Sequence, residues 1–363
     1  MRRAAAALAL LFSLIGPVFA QATVTLRLTF IGDIMAHEVN YRMASYDDIY
    51  SGVADMFRGD DLTFANLELP VDPTRPDSGY PFFNGSPAYV KAAVDAGIDV
   101  FSLANNHAFD GGEEGIFQTL RSLAGLRDTS RPFLASGIRG NPRQPFRPAV
   151  MVVKGVRVGF FALSQFLNVP GGGRYVHVVD YGDEATVAEL LDQVRDARAR
   201  VDLLVVSWHG DAEYVQEPAP GKRLFFHRLL DAGAQVVFSH HPHVVQGYEI
   251  VPGASGTGLI MYSMGNFISG MTWGLDPSAP DPPLAATGEA YVLQVSVRCG
   301  ADGCAVQEAR PVPVTDYRSS RGEMVVARLE DLADGTIDLG AAWKRYYAGR
   351  LKMMEGFLAR ETR

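Results

Sequence analysis

Five short apolar runs in this 363-residue chain each give way to residues that can bind a metal or move a proton. That recurrence limits the fold more than any other feature. VTLRLTFI at 24–31 meets Gly32 and Asp33, and LTFA at 62–65 meets Asn66, Leu67 and Glu68. VFSL at 100–103 leads to Asn105, Asn106 and His107, with Asp110 close behind. VDLLVVS at 201–207 meets Trp208 and His209, and QVVF at 235–238 runs into Ser239, His240 and His241. Each run has the length and residue types of a buried strand. Helix-like stretches at 88–96, 112–126, 184–199 and 222–232 lie between them. Strands alternating with helices predict an α/β fold with parallel pairing, in which the carboxyl ends of the strands share one edge.

Other segments add β structure. AVMVVKGVRVGFFA at 149–162 reads as a hairpin about Lys154-Gly155, and β runs follow at 248–251, 258–262, 290–297 and 305–312. One open sheet does not absorb so many strands, so two sheets are expected. Cys299 and Cys304 flank a Gly-Ala-Asp-Gly turn, a spacing that predicts a disulfide stapling a hairpin. The Pro- and Gly-rich stretches 70–87, 169–174 and 273–288 read as long loops of the kind that cover sites. The tail from about residue 339 reads as a terminal helix. The expected organisation is a leader at 1–22, a main domain at 23–325 and a helical extension at 326–363.

The leader reading rests on Arg2 and Arg3, an apolar stretch at 4–15, Pro17, and small residues permitting cleavage after Ala20 or Ala22. The stretch is shorter than the ~20 residues of a spanning helix. An exported protein, periplasmic or extracellular, with no membrane span after cleavage is expected. The net charge of −8 and the lack of a basic tract argue against nucleic acid as a partner.

Carboxylate, amide and imidazole without thiolate suit Zn, Mn or Fe. In His241-Pro242-His243 the proline favours extended geometry before it, which would point both imidazoles to one side. Taken alone, the pair serves either as metal ligands or as polar caps of a loop. Asp33 and Glu68 taken singly read equally well as a turn residue and a solvated carboxylate, and His209 as a core histidine. Jointly, so many polar groups converging on one sheet edge would be costly to bury without a metal or substrate.

The segments around Gly32-Asp33-Ile34-Met35, Asn66-Leu67-Glu68, Asn105 to Asp110, His209 to Tyr214, His240 to Gln246 and Tyr262 to Phe267 resemble the CapA family. These are capsule and poly-γ-glutamate synthesis proteins related to calcineurin-like metallophosphoesterases. The resemblance implies a four-layer α/β/β/α sandwich with mixed sheets and one or two divalent ions (Mn, Zn or Fe) at the strand ends. Asp33 and His243 are similar to ligands of a first metal, Glu68 to a bridging carboxylate, and Asn106, His209 and His241 to ligands of a second. His107 is similar to a proton donor, with Asp110 beside it. His37, Asn66, Glu213, His240 and Asn266 are expected to support the ligands. Met35 stands where the wider superfamily usually has a histidine, which puts the first metal position in question. The implied function is an exported metal-dependent hydrolase acting on a phosphoester or on an anionic envelope polymer such as poly-γ-glutamate. The alternative is a non-catalytic assembly or transport component that binds the polymer, working with other envelope biosynthesis proteins.

Overall fold

The computed structural model describes residues 23–253, 256–279 and 281–359, so the predicted leader lies outside the described residues. The strands are β1 (Val24–Ile34), β2 (Leu62–Leu67), β3 (Val100–Ser102), β4 (Leu134–Ser136), β5 (Ala149–Val153), β6 (Val156–Ser164) and β7 (Leu203–His209). They continue as β8 (Val236–His240), β9 (Val245–Gly253), β10 (Gly256–Met264), β11 (Asn266–Ile268), β12 (Glu289–Gly300), β13 (Gly303–Arg318) and β14 (Met324–Arg328). The helices are α1 (Glu38–Tyr41), α2 (Ala54–Arg58), α3 (Pro87–Ala96), α4 (Gly112–Arg127), α5 (Glu184–Arg198), α6 (Pro220–Asp231), α7 (Pro282–Ala286), α8 (Leu329–Asp334) and α9 (Ala341–Leu358).

Two mixed sheets form, as the number of β runs requires. The first runs β14-β13-β12-β1-β2-β3-β4, with β11 added to β1. The second runs β5-β6-β7-β8-β10-β9. The parallel strands β1 to β4 and β6, β7, β8 and β10 hold the centre of each sheet's site-bearing part, while β12 and β9 pair antiparallel beside them. Lys154 and Gly155 both take positive φ (50° and 82°), the turn that a two-residue hairpin between β5 and β6 requires. Cys299 and Cys304 face each other in the β12–β13 register and are joined by a disulfide.

Alternation along the strands decides which side chains enter which layer. Leu28, Phe30, Phe64, Val205, Val236 and Phe238 fill the core between the sheets. Ile31, Ala65 and Leu67 join residues of α2, α3 and α4 in a second core on the outer face of the first sheet. Leu204, Val206 and Val237 join α5 and α6 in a third on the outer face of the second. The result is the four-layer α/β/β/α sandwich. Loop 273–288, read from sequence as irregular, contains α7, started by Pro282 and capped by Asp281. The expected boundary at residue 326 falls inside β14, so the helical extension begins at Leu329. Tyr347, Met354 and Leu358 of α9 bury into the central core. Among the described residues no helix is long and apolar enough to cross a membrane.

Candidate metal centre

The strand period delivers the polar residues to one place. Phe64 faces the space between the sheets, so Asn66 and Glu68, two and four residues on, follow it. Val205 and Phe238 do the same for His209 and His240. Asp33 is three residues beyond Phe30 and would face outward, but the β1–β2 register shifts between these two positions. This bulge turns Asp33 back to the inner face. Gly32 makes it possible: a Cβ there would stand 1.9 Å from the carbonyl oxygen of Gly265. The same close approach lets Asp33 N–H donate to Gly265 O at 3.1 Å.

The polar cluster is fully buried. Asn66 Nδ2 donates to Asp33 Oδ1 at 2.8 Å and reaches Glu68 Oε2 at 3.3 Å. His209 Nε2 lies 2.8 Å from Asn106 Oδ1 and 3.6 Å from Glu68 Oε1. His243 Nε2 lies 3.8 Å from the same Glu68 oxygen, while its Nδ1 is held at 2.8 Å by Asn266 Oδ1 and lies 3.5 Å from Asp33 Oδ2. Glu68, His241 and His243 each present a ligand atom within 4.8 Å of the others, and so do Asp33, Glu68 and His209. Glu68 belongs to both groups. The grouping cuts across the division implied by the resemblance, which paired Asp33 with His243 and His209 with His241.

Burial penalises ionisation of Asp33, but contact with His243 and the charges of His240 and His243 outweigh it and hold its carboxyl below the usual value. Glu68 is pushed well above its usual value, by burial first and then by Asp33 and Glu213. Burial also drives His209 well down, His241 to about 3 and His240 to about 4, leaving neutral imidazoles with lone pairs to offer. His243 is raised: burial opposes its charge, but Asp33 and Asn266 stabilise it more.

The extended geometry expected at His241-Pro242-His243 is not what forms. His241 has φ 96° and His243 φ 57°, both in the left-handed region that non-glycine residues avoid. The rings nevertheless meet, with centroids 5.6 Å apart, because the turn is held from outside: His241 N–H donates to Asp33 Oδ2 at 3.4 Å and Tyr214 N–H to Pro242 O at 2.8 Å. Strain kept in place by its surroundings is typical of ligand-holding turns. His240 is the last residue of β8, its Nδ1 3.4 Å from Asp33 Oδ1. Met35 turns away into the outer core, and its carbonyl accepts from the Tyr89 hydroxyl at 2.7 Å. His37 caps α1 and its Nδ1 accepts from Gly270 N–H at 3.1 Å, outside both ligand groups. Glu213 stands at the rim, 4.0 Å from His241 Nε2 and about half exposed.

His107 Nδ1 bonds Asp110 Oδ2 at 2.7 Å, and its Nε2 lies 3.4 Å from Asn168 Nδ2. Sequence reasoning missed Asn168, an isolated amide in a loop with no pattern around it. It also passed over Asn105, whose amide donates to Asn66 Oδ1 at 3.3 Å and Leu67 O at 2.8 Å, and whose place in the Asn105-Asn106-His107 triplet was the available signal. Lys222, fully buried in α6 and donating to Gln246 Oε1 at 3.0 Å, gave no signal because its spacing is that of an ordinary helix face.

These residues fit a divalent cation. Glu68 Oε1, His241 Nδ1 and both ring nitrogens of His240 are buried without a hydrogen-bond partner, an expense a folded protein rarely leaves uncompensated. The 3.6 and 3.8 Å gaps from Glu68 Oε1 to the His209 and His243 nitrogens are near the ~3.3 Å separating ligands in a tetrahedral shell with bonds of ~2 Å.

Residues 27–271 match the family described as bacterial capsule synthesis protein PGA_cap. The capsule biosynthesis protein CapA of Bacillus anthracis is 27% identical over 318 residues, spanning 83% of this chain and 72% of that protein. The PGA biosynthesis protein CapA of Bacillus subtilis is 26% identical over 333 residues, spanning 88% and 80%. Among solved structures, a phosphatase from Mycoplasma pneumoniae shares the fold with a TM-score of 0.50 at 12% identity, over 81% of this chain and 95% of that one. A calcineurin-like phosphoesterase from Bacillus subtilis aligns over 92% of this chain and 100% of its own at 14% identity and a TM-score of 0.41.

Proposed function

The chain belongs to the PGA_cap family of bacterial capsule synthesis proteins, and from that premise we propose that it is an exported, metal-dependent hydrolase of envelope polymer production. Its substrate is a phosphoester or an anionic polymer such as poly-γ-glutamate. The observation that carries the reading is the pair of overlapping three-ligand groups sharing Glu68. Asp33, Glu68, His209, His241 and His243, with Asn106, would hold one or two divalent ions. Such an ion supplies an activated water and neutralises charge on a substrate oxygen.

The protein's own groups divide the remaining work. Asn266 fixes the ring of His243, and Asn66 fixes Asp33 and Glu68 against each other. Asp110 orients His107 through Nδ1. That leaves Nε2 to give a proton to the departing group. The buried cluster excludes bulk water, which strengthens each of these interactions.

A second reading, a polymer-binding component without catalysis, draws on Met35 and Asp33. The side chain at 35 lies in the outer core, and both Asp33 oxygens already accept protein N–H groups, from Asn66 and His241. Metal analysis of the purified protein, with phosphodiesterase and γ-glutamyl hydrolase assays on wild type and His107→Ala, separates the two. The hydrolase reading expects Mn, Zn or Fe to bind and activity to fall about 10²–10⁴-fold in His107→Ala. Absence of both metal binding and activity, with Mn or Zn added, favours the binding component.

A further inference from the structure

The segment 78–84 is closed at its root and aromatic at its tip. Ser78 and Asn84 pair as an isolated antiparallel bridge with hydrogen bonds of 3.0 and 2.9 Å. The Asn84 amide donates to the carbonyls of Asp72 at 3.0 Å and Pro76 at 3.1 Å. Phe83 N–H donates at 2.8 Å to Asp110 Oδ2, the oxygen that also holds His107. The Phe83 ring meets those of His107 and His37 edge-on, with centroids 4.6 and 5.2 Å away. The loop is thus tied to the candidate proton donor.

Its tip is open. Tyr80 is 77% exposed and Phe82 53%. With His37, Glu38, Arg75 and Trp273 they line a cavity of about 610 Å³. Arg318 stands over the Trp273 ring, 5.3 Å from its centroid. Exposed aromatic rings on a pinned loop, next to acceptor-only and donor-only charged groups, make a surface with an apolar face and a polar rim.

We propose that this cavity is a subsite for a sugar ring on the leaving-group side of the substrate, which makes the substrate a glycosyl phosphoester. The inference rests on the hydrolase reading and narrows it. A pyranose has an apolar C–H face to lie on Tyr80 or Phe82. Its hydroxyls both donate and accept, matching the Glu38 carboxylate and the Arg75 guanidinium. The cavity is joined to the candidate proton donor through His37, which lines it and whose ring meets Phe83, which in turn meets His107. In the reaction the oxygen of water adds at phosphorus, the phosphorus–oxygen bond to the sugar breaks, the sugar oxygen takes the proton from His107, and the proton the water releases passes to solvent, from which His107 is recharged. A γ-glutamyl chain has no ring to lie on the aromatic faces.

Two measurements on the full chain test this. Saturation-transfer NMR with methyl glucoside, a neutral probe independent of any metal, should show transfer to the ring protons in wild type and its loss in the Tyr80→Ala/Phe82→Ala double variant. Calorimetry on Mn-loaded protein should find glucose 1-phosphate binding about tenfold tighter than glycerol phosphate in wild type and equally in the double variant, as loss of one or two stacking contacts predicts. Inorganic phosphate should bind both proteins alike. No transfer in wild type, unchanged transfer in the variant, or stronger transfer to adenosine than to the glucoside would overturn the subsite. Failure of inorganic phosphate to bind counts against the metal-dependent reading instead, and the glucoside arm still judges the subsite.

Discussion

Glu68 is the residue on which the centre depends. It faces two histidine nitrogens, has one orphaned oxygen, and is pushed well above the usual carboxylate range by burial first and then by the charge of Asp33. A group so placed is unfavourable without a cation, as site residues often are. Glu68→Gln should therefore leave the metal-free melting temperature unchanged or higher while abolishing the increase that added Mn or Zn gives wild type. Scanning fluorimetry with and without metal checks both halves, and a metal-free variant markedly less stable than wild type would contradict the account. Asn266→Ala removes the partner of His243 Nδ1, together with the donors to Thr287 O and Met271 Sδ, and should weaken metal binding about 10–100-fold by calorimetry. The candidate ligands that the fold gathers were named in the sequence reading, but the backbone carrying two of them was not legible there. Proline before His243 argues for extended geometry locally, and the left-handed turn exists because Asp33 and Tyr214, far away in sequence, hold it.

At the scale of elements, the bulge in β1 does for Asp33 what simple alternation does for Asn66, Glu68, His209 and His240. Gly32 permits the bulge by letting Gly265 O approach. Gly32→Ala should force β1 and the segment before β11 apart, destabilising the fold by about 1–3 kcal/mol in urea denaturation. It should also lower metal affinity, since Asp33 moves with it. A variant with wild-type stability and affinity would show that the bulge is not constrained as described. The long strands and the helices α3 to α6 were readable because their periods are clean and their ends are marked: Pro begins α3 and α6, and Asp183 caps α5. Of the three-residue strands, β3 was readable because its apolar run leads into Asn105-Asn106-His107, but β4 and β11 were not, since each exists only through its neighbour: β4 pairs β3, and β11 pairs β1 just past the bulge. A segment that short has no period of its own.

Across the whole molecule, the two sheets press Phe30 and Phe64 against Phe160 and Phe238, with ring centroids 5.2 to 6.1 Å apart between the sheets. That apolar floor lies directly beneath the polar cluster: the Phe238 and His240 rings are 4.6 Å apart. Two sheets were predictable by counting strands, but which strands neighbour which was not, because β11 to β14 return to the first sheet after the second is complete. Away from the site, His177 stacks on Phe146 at 4.3 Å and is held neutral, its pKa lowered to about 3 by burial and then by Arg139. Because the unfolded chain takes up this proton near pH 6.5 and the folded chain does not, His177 subtracts stability as pH falls from 6.5 toward 3. His177→Phe should remove that loss, so that variant and wild type diverge by about 1.4 kcal/mol per pH unit in acid, the variant gaining. Parallel denaturation curves from pH 7 to 4 would show whether they do. The central claim, that both sheets converge on a metal held by Glu68, is tested most directly by anomalous diffraction from crystals grown with Mn or Zn. The account predicts an anomalous peak bonded to Glu68 and to nitrogens drawn from His209, His241 and His243. A fully loaded crystal with its metal elsewhere, or none at Glu68 at saturating concentration, would contradict it.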